Sequence, residues 1–591
     1  MAWVNEQIAG VFREMAELLE LSGDQSFRAR AYDRAARALS GYGADLATLS
    51  DEELARVPGM GRSIAAKVRE YLDHGHVAAL EELRATVPEG LRVLVRVPGV
   101  GPRKARLINE RLGVSTVDDL ARAVMDGRIA GLPGMGARTE VQLKRALERM
   151  AAGSSGIPLA TALPVAEILR DQLAGLPGVL RVEVAGSLRR MKPLVHDMDL
   201  LAAGDDPGEI TRAFTRLAGV AEVAAVGDTK ASVRTRAGYQ VDLRVVRPQV
   251  WGAALQYFTG SREHNVKVRE LAVKQGLKLS EYGMHTREGE LVVTGGASGS
   301  GGRGATGWDP DEEGVYQRLG LEWVPPVLRE DRGEVEAARA GDLPRLAALA
   351  DVRGDFHCHT DMSPDGTASL ATMVDAARAR GYGFLAITDH AERLSFSAAT
   401  REDFLRQRQL LRELQRRRGD LELLHGVELN IGADGSLDYD DDFLDGFDVL
   451  VASVHDRLDS PREQLTARLV RACEHPAVNV IGHPTGRRLG KRPAGEVDLE
   501  ALCAAAARTG TALEVNGSPE RLDLGDEALR VASRHGVLLA FGSDSHGPGH
   551  LSNMRFSVAT AGRGWVTRER VVNTLPARDL RRFLAKGRKG R

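Results

Sequence analysis

From about residue 351 onward one pattern repeats: a short apolar run, a polar loop, then a stretch with helical periodicity. The runs read FLAIT, LLHGVEL, DVLVASV, VNVIGH, TALEVN and VLLAFGSD. Unbroken apolar runs of 4–6 residues suit strands covered on both faces, and their alternation with helices predicts βα units and a parallel sheet closing into a barrel. In such folds chemistry gathers where the strands end. Histidines and acids sit there: His357 and His359 in GDFHCHTDMSPDG, His390 in ITDH, Glu428 in GVELN, His455 in VASVHD, His483 in VIGHP, and Asp544 and His546 in FGSDSH. His357 and His359 share one face of a strand, which alone would also fit an exposed strand edge. Recurrence of such residues after each apolar run makes them a ligand set gathered at one mouth. Mixed imidazole and carboxylate donors suit Zn²⁺, Mn²⁺ or Fe²⁺ better than Mg²⁺ alone.

This pattern fills only the last part of a 591-residue chain, long enough for several domains. The apolar (43%) and charged (27%) fractions are those of a globular protein, and a net charge of −2 carries no signature of nucleic-acid binding. Any case for DNA must therefore come from motifs. Cys358, Cys473 and Cys503 are far apart, which fits a reducing cytosol rather than a disulfide framework. The first residues read as an amphipathic helix rather than a signal peptide, and no run of about 18 apolar residues exists to span a membrane.

Three segments of the first 150 residues share an apolar residue, Pro-Gly-x-Gly, and then a helical pattern: VPGMGRSIAAKV, VPGVGPRKARLI and LPGMGARTEVQL. The glycines, Gly59, Gly61, Gly99, Gly101, Gly134 and Gly136, permit a tight turn at positive φ and close backbone approach. The turn aims amide N–H groups outward at a helix start, a cradle for phosphate that ignores base sequence. One copy would read as a plain helix–helix turn, but three point to DNA backbone. Lys67, one turn into the first of these helices, reads as a surface lysine on sequence alone.

In the middle, GSLRRMKPLVHDMDLL places Asp197 and Asp199 two apart in a β-like run, so their carboxylates face the same way. Like charges that close are costly unless cations lie between them. Asp242 in YQVDLRVV fits a neighbouring strand's contribution to a Mg²⁺-dependent site.

The pieces GSLRR, HDMDLL, VDLRVV, YFTGS and NVKVREL, in this order, resemble family X DNA polymerases. The resemblance implies that Asp197 and Asp199 bind two Mg²⁺ or Mn²⁺ ions and that Asp242 binds the catalytic one. It implies that Gly186, Ser187 and Arg190 hold the triphosphate, that Tyr257, Phe258 and Gly260 flank the incoming sugar and base, that Asn265 reaches the nascent pair and that Arg269 contacts template. His196 stands where many relatives have glycine. The PGxG segments resemble helix-hairpin-helix motifs, often with a monovalent cation. By the same resemblance Lys67 aligns with the Schiff-base lysine of a deoxyribose-phosphate lyase, with Ser63 in place of an auxiliary lysine.

The strand-end set resembles the PHP (polymerase and histidinol phosphatase) domain, which implies nine ligands around three metals and phosphoester hydrolysis. Eight ligands transfer directly, from His357 to His546 as named above. The ninth falls in SPDG, where an inserted Pro364 leaves Asp365 as the expected ligand and Asp361 as its rival.

The expected architecture is multidomain α/β and α+β: a helical helix-hairpin-helix front, a nucleotidyltransferase palm with a thumb-like subdomain, and a distorted (β/α)7-type PHP barrel. Expected boundaries are 1–85 and 86–156 for the front, 157–252 for the palm, 253–328 for the subdomain with a Gly-rich loop at 294–310, 329–350 for a linker, 351–575 for the barrel and 576–591 for a basic tail. The expected function is gap-filling repair polymerisation by a cytoplasmic monomer, acting on gapped or primed duplex DNA and dNTP, with any repair or end-joining protein partners left unidentified by the sequence. The barrel would supply a 3′→5′ exonuclease, with abasic-site or 3′-phosphate cleavage as related activities. A template-independent nucleotidyltransferase, or a PHP domain that is only structural, stands as the rival reading.

Overall fold

The structure, a computed structural model, describes residues 2–23, 27–40, 42, 46–57, 59–95, 97, 99–151, 156–292, 310–392, 399–417 and 419–586. The Gly/Ser-rich loop, apart from Pro310, and the last five residues lie outside them.

The front is all helical. Helix Ala2–Ser22 carries Ile8, Phe12 and Met15, each essentially fully buried, and packs along Phe27–Ser40 and against Pro102–Leu112. One apolar cluster runs from Ile8 to Leu147, across the boundary expected near residue 85. Its short helices, such as Asp51–Arg56 and Glu89–Leu94, could not stand alone and owe their stability to this shared face.

The palm is a five-stranded sheet in the order Val179–Val184, Met198–Gly204, Gln240–Val246, Lys230–Thr235, Val220–Val226. Only Met198–Gly204 and Gln240–Val246 run parallel. Helices Leu159–Ala174 and Pro207–Phe214 bury Leu163, Leu169, Ile210 and Phe214 against the sheet. The next unit joins helices Trp251–Thr259, Arg262–Lys274 and Pro310–Arg318 to a three-stranded antiparallel sheet.

The segment expected as a linker is packed instead. It forms helix Glu334–Ala340, whose Val335 and Ala338 join the thumb-side core. Its Glu334 is fully buried against His264, and Arg329 is fully buried against Glu312. Buried charges must be paired, so the high charge that resembles a solvated linker here marks a polar interior.

The last unit has seven parallel strands in sequential order: Gly354–Asp355, Phe384–Ile387, Glu422–Asn430, Val449–Ser453, Val480–Gly482, Ala512–Asn516 and Leu539–Gly542. The barrel is nearly closed, because His359 N donates to Ser545 O at 2.7 Å and Cys358 bridges to Ser545 beyond the first and last strands. Helix Ala577–Leu584, inside the expected basic tail, packs Leu580, Phe583 and Leu584 into a cluster with Phe356 and Phe384. Its arginines occupy the other face, so local charge masked an apolar stripe.

Candidate active sites

Asp199 and Asp242 are direct register partners on the two parallel palm strands, and Asp197 lies two residues before Asp199. Ligand atoms of the three carboxylates lie within 4.8 Å of one another. Burial, then Asp197, then Asp242 raise the Asp199 carboxyl to about 7. Such a cluster is strained by its own charge, and divalent cations between the oxygens would relieve it. Asp242 is steadied by the Ser232 hydroxyl and by Gln240 Nε2, which donates at 3.0 Å.

Gly186 has φ +58°, and a Cβ there would meet Asp199 Oδ2 at 2.0 Å, so only glycine fits. Ser187 Oγ, next in the chain, is buried and has no protein hydrogen-bond partner. Arg190 donates from Nη1 to Thr259 O at 2.9 Å and from Nε to Glu330 Oε1 at 3.0 Å. Arg189 reaches the Thr259 hydroxyl at 2.7 Å, so GSLRR and YFTG are tied together. Tyr257 and Phe258 meet edge to face with centroids 5.2 Å apart. A Cβ on Gly260 would meet Asn265 Oδ1 at 2.4 Å.

Asn265 is turned inward: its Nδ2 donates to Tyr257 O at 2.6 Å and its Oδ1 accepts from Gln256 at 2.9 Å. Arg269 Nε bonds one turn back within its own helix, to Asn265 O at 3.2 Å, and its side chain is half-buried. The Asn265 amide is thus engaged within the protein in this conformation. His196 is exposed just before Asp197.

In the front, Gly59, Gly99 and Gly134 have φ of +81°, +91° and +74°. Gly61 and Gly101 N-cap helices Arg62–His74 and Pro102–Leu112, and Gly136 precedes Ala137–Ala151. A Cβ on Gly61, Gly101 or Gly136 would meet nothing within 4 Å. The first glycine of each turn is thus required by its backbone and the second leaves open space at a helix start. Lys67 Nζ bonds to Ser63 Oγ at 3.3 Å.

The barrel mouth gathers the strand-end residues around Glu428. His390 Nδ1 lies 2.8 Å from its carboxylate, His483 Nε2 2.9 Å, His455 Nε2 3.1 Å, His357 Nε2 3.4 Å and His359 Nε2 3.6 Å. Asp544 Oδ1 lies 3.5 Å from His359 Nε2. Asp365 Oδ2 lies 3.3 Å from His546 Nε2, and its Oδ1 is 3.7 Å from His390 Nε2. Turns at Ser363 and Gly366 return the chain after Pro364, which puts Asp365 at the cluster. Asp361 lies instead beside Asp389, which with burial pushes its carboxyl up.

Three groups here have ligand atoms close enough to share an ion: His357–His359–Asp544, His359–His390–His546 and His390–Glu428–His455. Buried atoms without hydrogen-bond partners converge there, namely His357 Nε2, His359 Nε2, His455 Nε2 and Asp365 Oδ1. Orphaned donors and acceptors in a buried site fit metal ions. His483 and Asp544 adopt φ of +24° and +53°, backbone strain placed at two of the ligands.

Outer partners orient the rings. Glu514 accepts from His357 Nδ1 at 2.8 Å and from His483 N at 2.5 Å. Asn430 Oδ1 holds His455 Nδ1 at 2.7 Å, and Ser363 links His359 to Asp389. Such partners fix tautomer and raise ligand basicity. Sequence reading missed Glu514. Its signal was a glutamate amid the apolar run TALEVN, where a buried charge needs a partner.

Residues 254–330 match the DNA polymerase beta thumb family, 355–518 the PHP domain, 4–77 a helix-hairpin-helix domain and 91–149 a SAM-like helix-hairpin-helix tandem. The chain is 34% identical to DNA polymerase/3′-5′ exonuclease PolX of Bacillus subtilis, over 98% of this chain and 99% of that one. It is 27% identical to DNA polymerase lambda of Rattus norvegicus over 55% of this chain and 56% of that protein. A probable phosphatase of Shewanella sediminis is 32% identical over 39% of this chain and 93% of its own. Near-complete coverage of the bacterial relative, with both carboxylate and imidazole clusters assembled, places the chain among the family X DNA polymerases that carry a C-terminal PHP domain.

Proposed function

We propose that the protein fills short gaps in DNA during repair and removes 3′ nucleotides with its barrel. The observation that carries this reading is two separate metal-binding arrangements in one chain, one of three carboxylates and one of imidazoles around Glu428.

In the palm, two Mg²⁺ or Mn²⁺ ions held by Asp197, Asp199 and Asp242 would lower the pKa of a primer 3′-hydroxyl and neutralise the leaving pyrophosphate. Ser187 offers its unpartnered hydroxyl, and Arg190 its charge, to the triphosphate. Asp242, steadied by Ser232 and Gln240, faces the primer end. Tyr257 and Phe258, packed edge to face on each other, flank the incoming sugar and base. Asn265 must leave Tyr257 O to reach the nascent pair. The open amides after Gly61, Gly101 and Gly136 bind phosphates of primed duplex, with a monovalent cation as their partner. Lys67 is the candidate lyase nucleophile. We take the protein to act as a monomer.

At the barrel mouth, three Zn²⁺, Mn²⁺ or Fe²⁺ ions fit the nine-residue set with Asp365 as the ninth ligand, and would activate water and stabilise phosphoryl oxygens. Likeness of the barrel to probable phosphatases favours a second activity there, release of a 3′-phosphate.

The test uses a gapped duplex labelled near its primer 3′ end, in Mg²⁺ and in Mn²⁺. Asp197→Ala loses extension and keeps 3′ degradation; His359→Ala does the reverse. A 3′-phosphorylated primer reads the phosphatase arm. Loss of both activities in each variant, with folds intact, overturns two separate sites, and extension that ignores template overturns the polymerase reading.

A further inference from the structure

Arg563 closes the barrel helix Met554–Arg563, yet its guanidinium reaches into the polymerase half. It is 3% exposed. Its Nη1 donates to the backbone carbonyl of Arg190 at 2.9 Å and to Glu330 Oε1 at 2.8 Å. Its Nη2 donates to Asp526 of the barrel at 2.8 Å. Glu330 Oε1 also accepts from Arg190 Nε at 3.0 Å. One barrel arginine therefore holds both the main chain of Arg190 and the carboxylate that fixes its side chain. Arg332 adds a second tie to Asp526 at 3.1 Å.

Charge bookkeeping favours a single geometry. Glu330 is buried between two guanidinium groups; against burial, Arg190 and then Arg563 hold its carboxyl below the usual range. Asp526 balances Arg563 on the barrel side. Removing one partner would leave the others buried and uncompensated, so the arrangement is stiff. Charge-assisted bonds at these distances are among the strong ones. Arg190 in turn lies close enough to Asp199 for its charge to oppose the rise in that carboxyl.

We propose that Arg563 and Glu330 are positioning residues for nucleotide binding, through which the PHP barrel sets the guanidinium of Arg190 at the triphosphate site of the palm. The inference rests on the reading that Arg190 contacts the triphosphate. It makes the barrel part of the polymerase's nucleotide site, apart from any hydrolysis at its mouth. A guanidinium carried on a loosely held side chain would have to be ordered by each incoming nucleotide; here the cost is met on folding. The effect therefore belongs in KM for dNTP more than in kcat.

The experiment is steady-state gap filling by the full-length chain, with dNTP varied, for Arg190→Ala, Glu330→Gln, Arg563→Ala and Arg563→Lys, plus the Glu330→Gln/Arg563→Ala pair. Thermal melting and 3′ degradation serve as fold readouts for the barrel. Expected are a rise in KM of about ten-fold for Arg563→Ala and for Glu330→Gln, with kcat changed less than about three-fold. The pair should be no worse than the stronger single change, since both act through Arg190. Lysine at 563 keeps one charge but cannot span three acceptors, so it should restore KM only in part. If Arg190→Ala leaves KM unchanged, the assignment of Arg190 to the triphosphate fails. If Arg190→Ala raises KM while Arg563→Ala and Glu330→Gln, both folded, do not, the positioning role fails. If the paired effects multiply, the two residues act independently and the relay is overturned.

Discussion

At the scale of single residues, the palm holds its carboxylates in an arrangement that costs stability when no cation is present. Asp199 carries a carboxyl raised from 3.8 to about 7 by burial, Asp197 and Asp242. An acid whose folded pKa exceeds its unfolded one binds more protons folded than unfolded between those values. Stability contributed by this group is therefore highest below about pH 4 and falls as pH rises through about 7. Asp242→Asn removes one of the two charges that raise it. The metal-free variant should melt higher than the parent at pH 8 and about equally at pH 5, while gap filling drops by a hundred-fold or more, on the order of a lost catalytic carboxylate. Differential scanning calorimetry at the two pH values, in a chelator, checks the first part. A variant that melts lower at pH 8 would show that Asp242 stabilises the palm through its bonds to Ser232 and Gln240 instead.

Elements show why some of this was legible in the sequence and some was not. Strand-end ligands could be read because a strand covered on both faces must be apolar, so any histidine or acid at its end stands out. The Asp-x-Asp pair could be read because strand periodicity puts alternate residues on one face. The first barrel strand, only Gly354–Asp355, left no apolar run, and its closure comes from bonds between His359 and Ser545 that no local pattern announces. Charge misled twice. Arg329 and Glu334 look solvated in sequence and are buried pairs, and the arginines of Ala577–Leu584 hide Phe583 and Leu584. Partners well away along the chain decide such cases, as with Glu334 and His264, 70 residues apart. The PGxG turns lie between these extremes, since their two glycines serve different ends. Gly99→Ala, at φ +91°, should cost about 1–2 kcal/mol of front-unit stability. Gly101→Ala, an N-cap with open space around its Cβ, should cost well under about 1 kcal/mol yet weaken binding to gapped duplex several-fold. Melting and fluorescence anisotropy on the same two variants separate the roles. Equal DNA affinity for Gly101→Ala and the parent would mean that this turn is structural only.

On the scale of the whole molecule, apolar packing divides the chain differently from its functional sites. Among the described residues the front cluster contains only residues from Ile8 to Leu147. The palm cluster, in contrast, includes Leu522 and Phe556 from the barrel, and Arg555 of the barrel pairs with Glu167 of palm helix Leu159–Ala174 at 3.2 Å. Palm and barrel thus share buried apolar surface, and surface that is shared must be exposed if either unfolds alone. They should unfold in one transition, and the front unit in another. Among the described residues the clusters that could hold a divalent cation lie in the palm and the barrel, so raising its concentration should move the shared transition upward and leave the front transition in place. Phe556→Ala, at a site 3% exposed, should lower the shared transition by about 3–5 kcal/mol, a cost set by the cavity it leaves between the two units. It should also split that transition, because the palm then loses an aromatic side chain that the barrel contributes to its core. Urea unfolding followed by calorimetry reads both effects. If the parent's palm and barrel already melt separately, or if Phe556→Ala shifts the front transition by as much as the other, the apolar core of the palm does not extend into the barrel in the way its packing indicates.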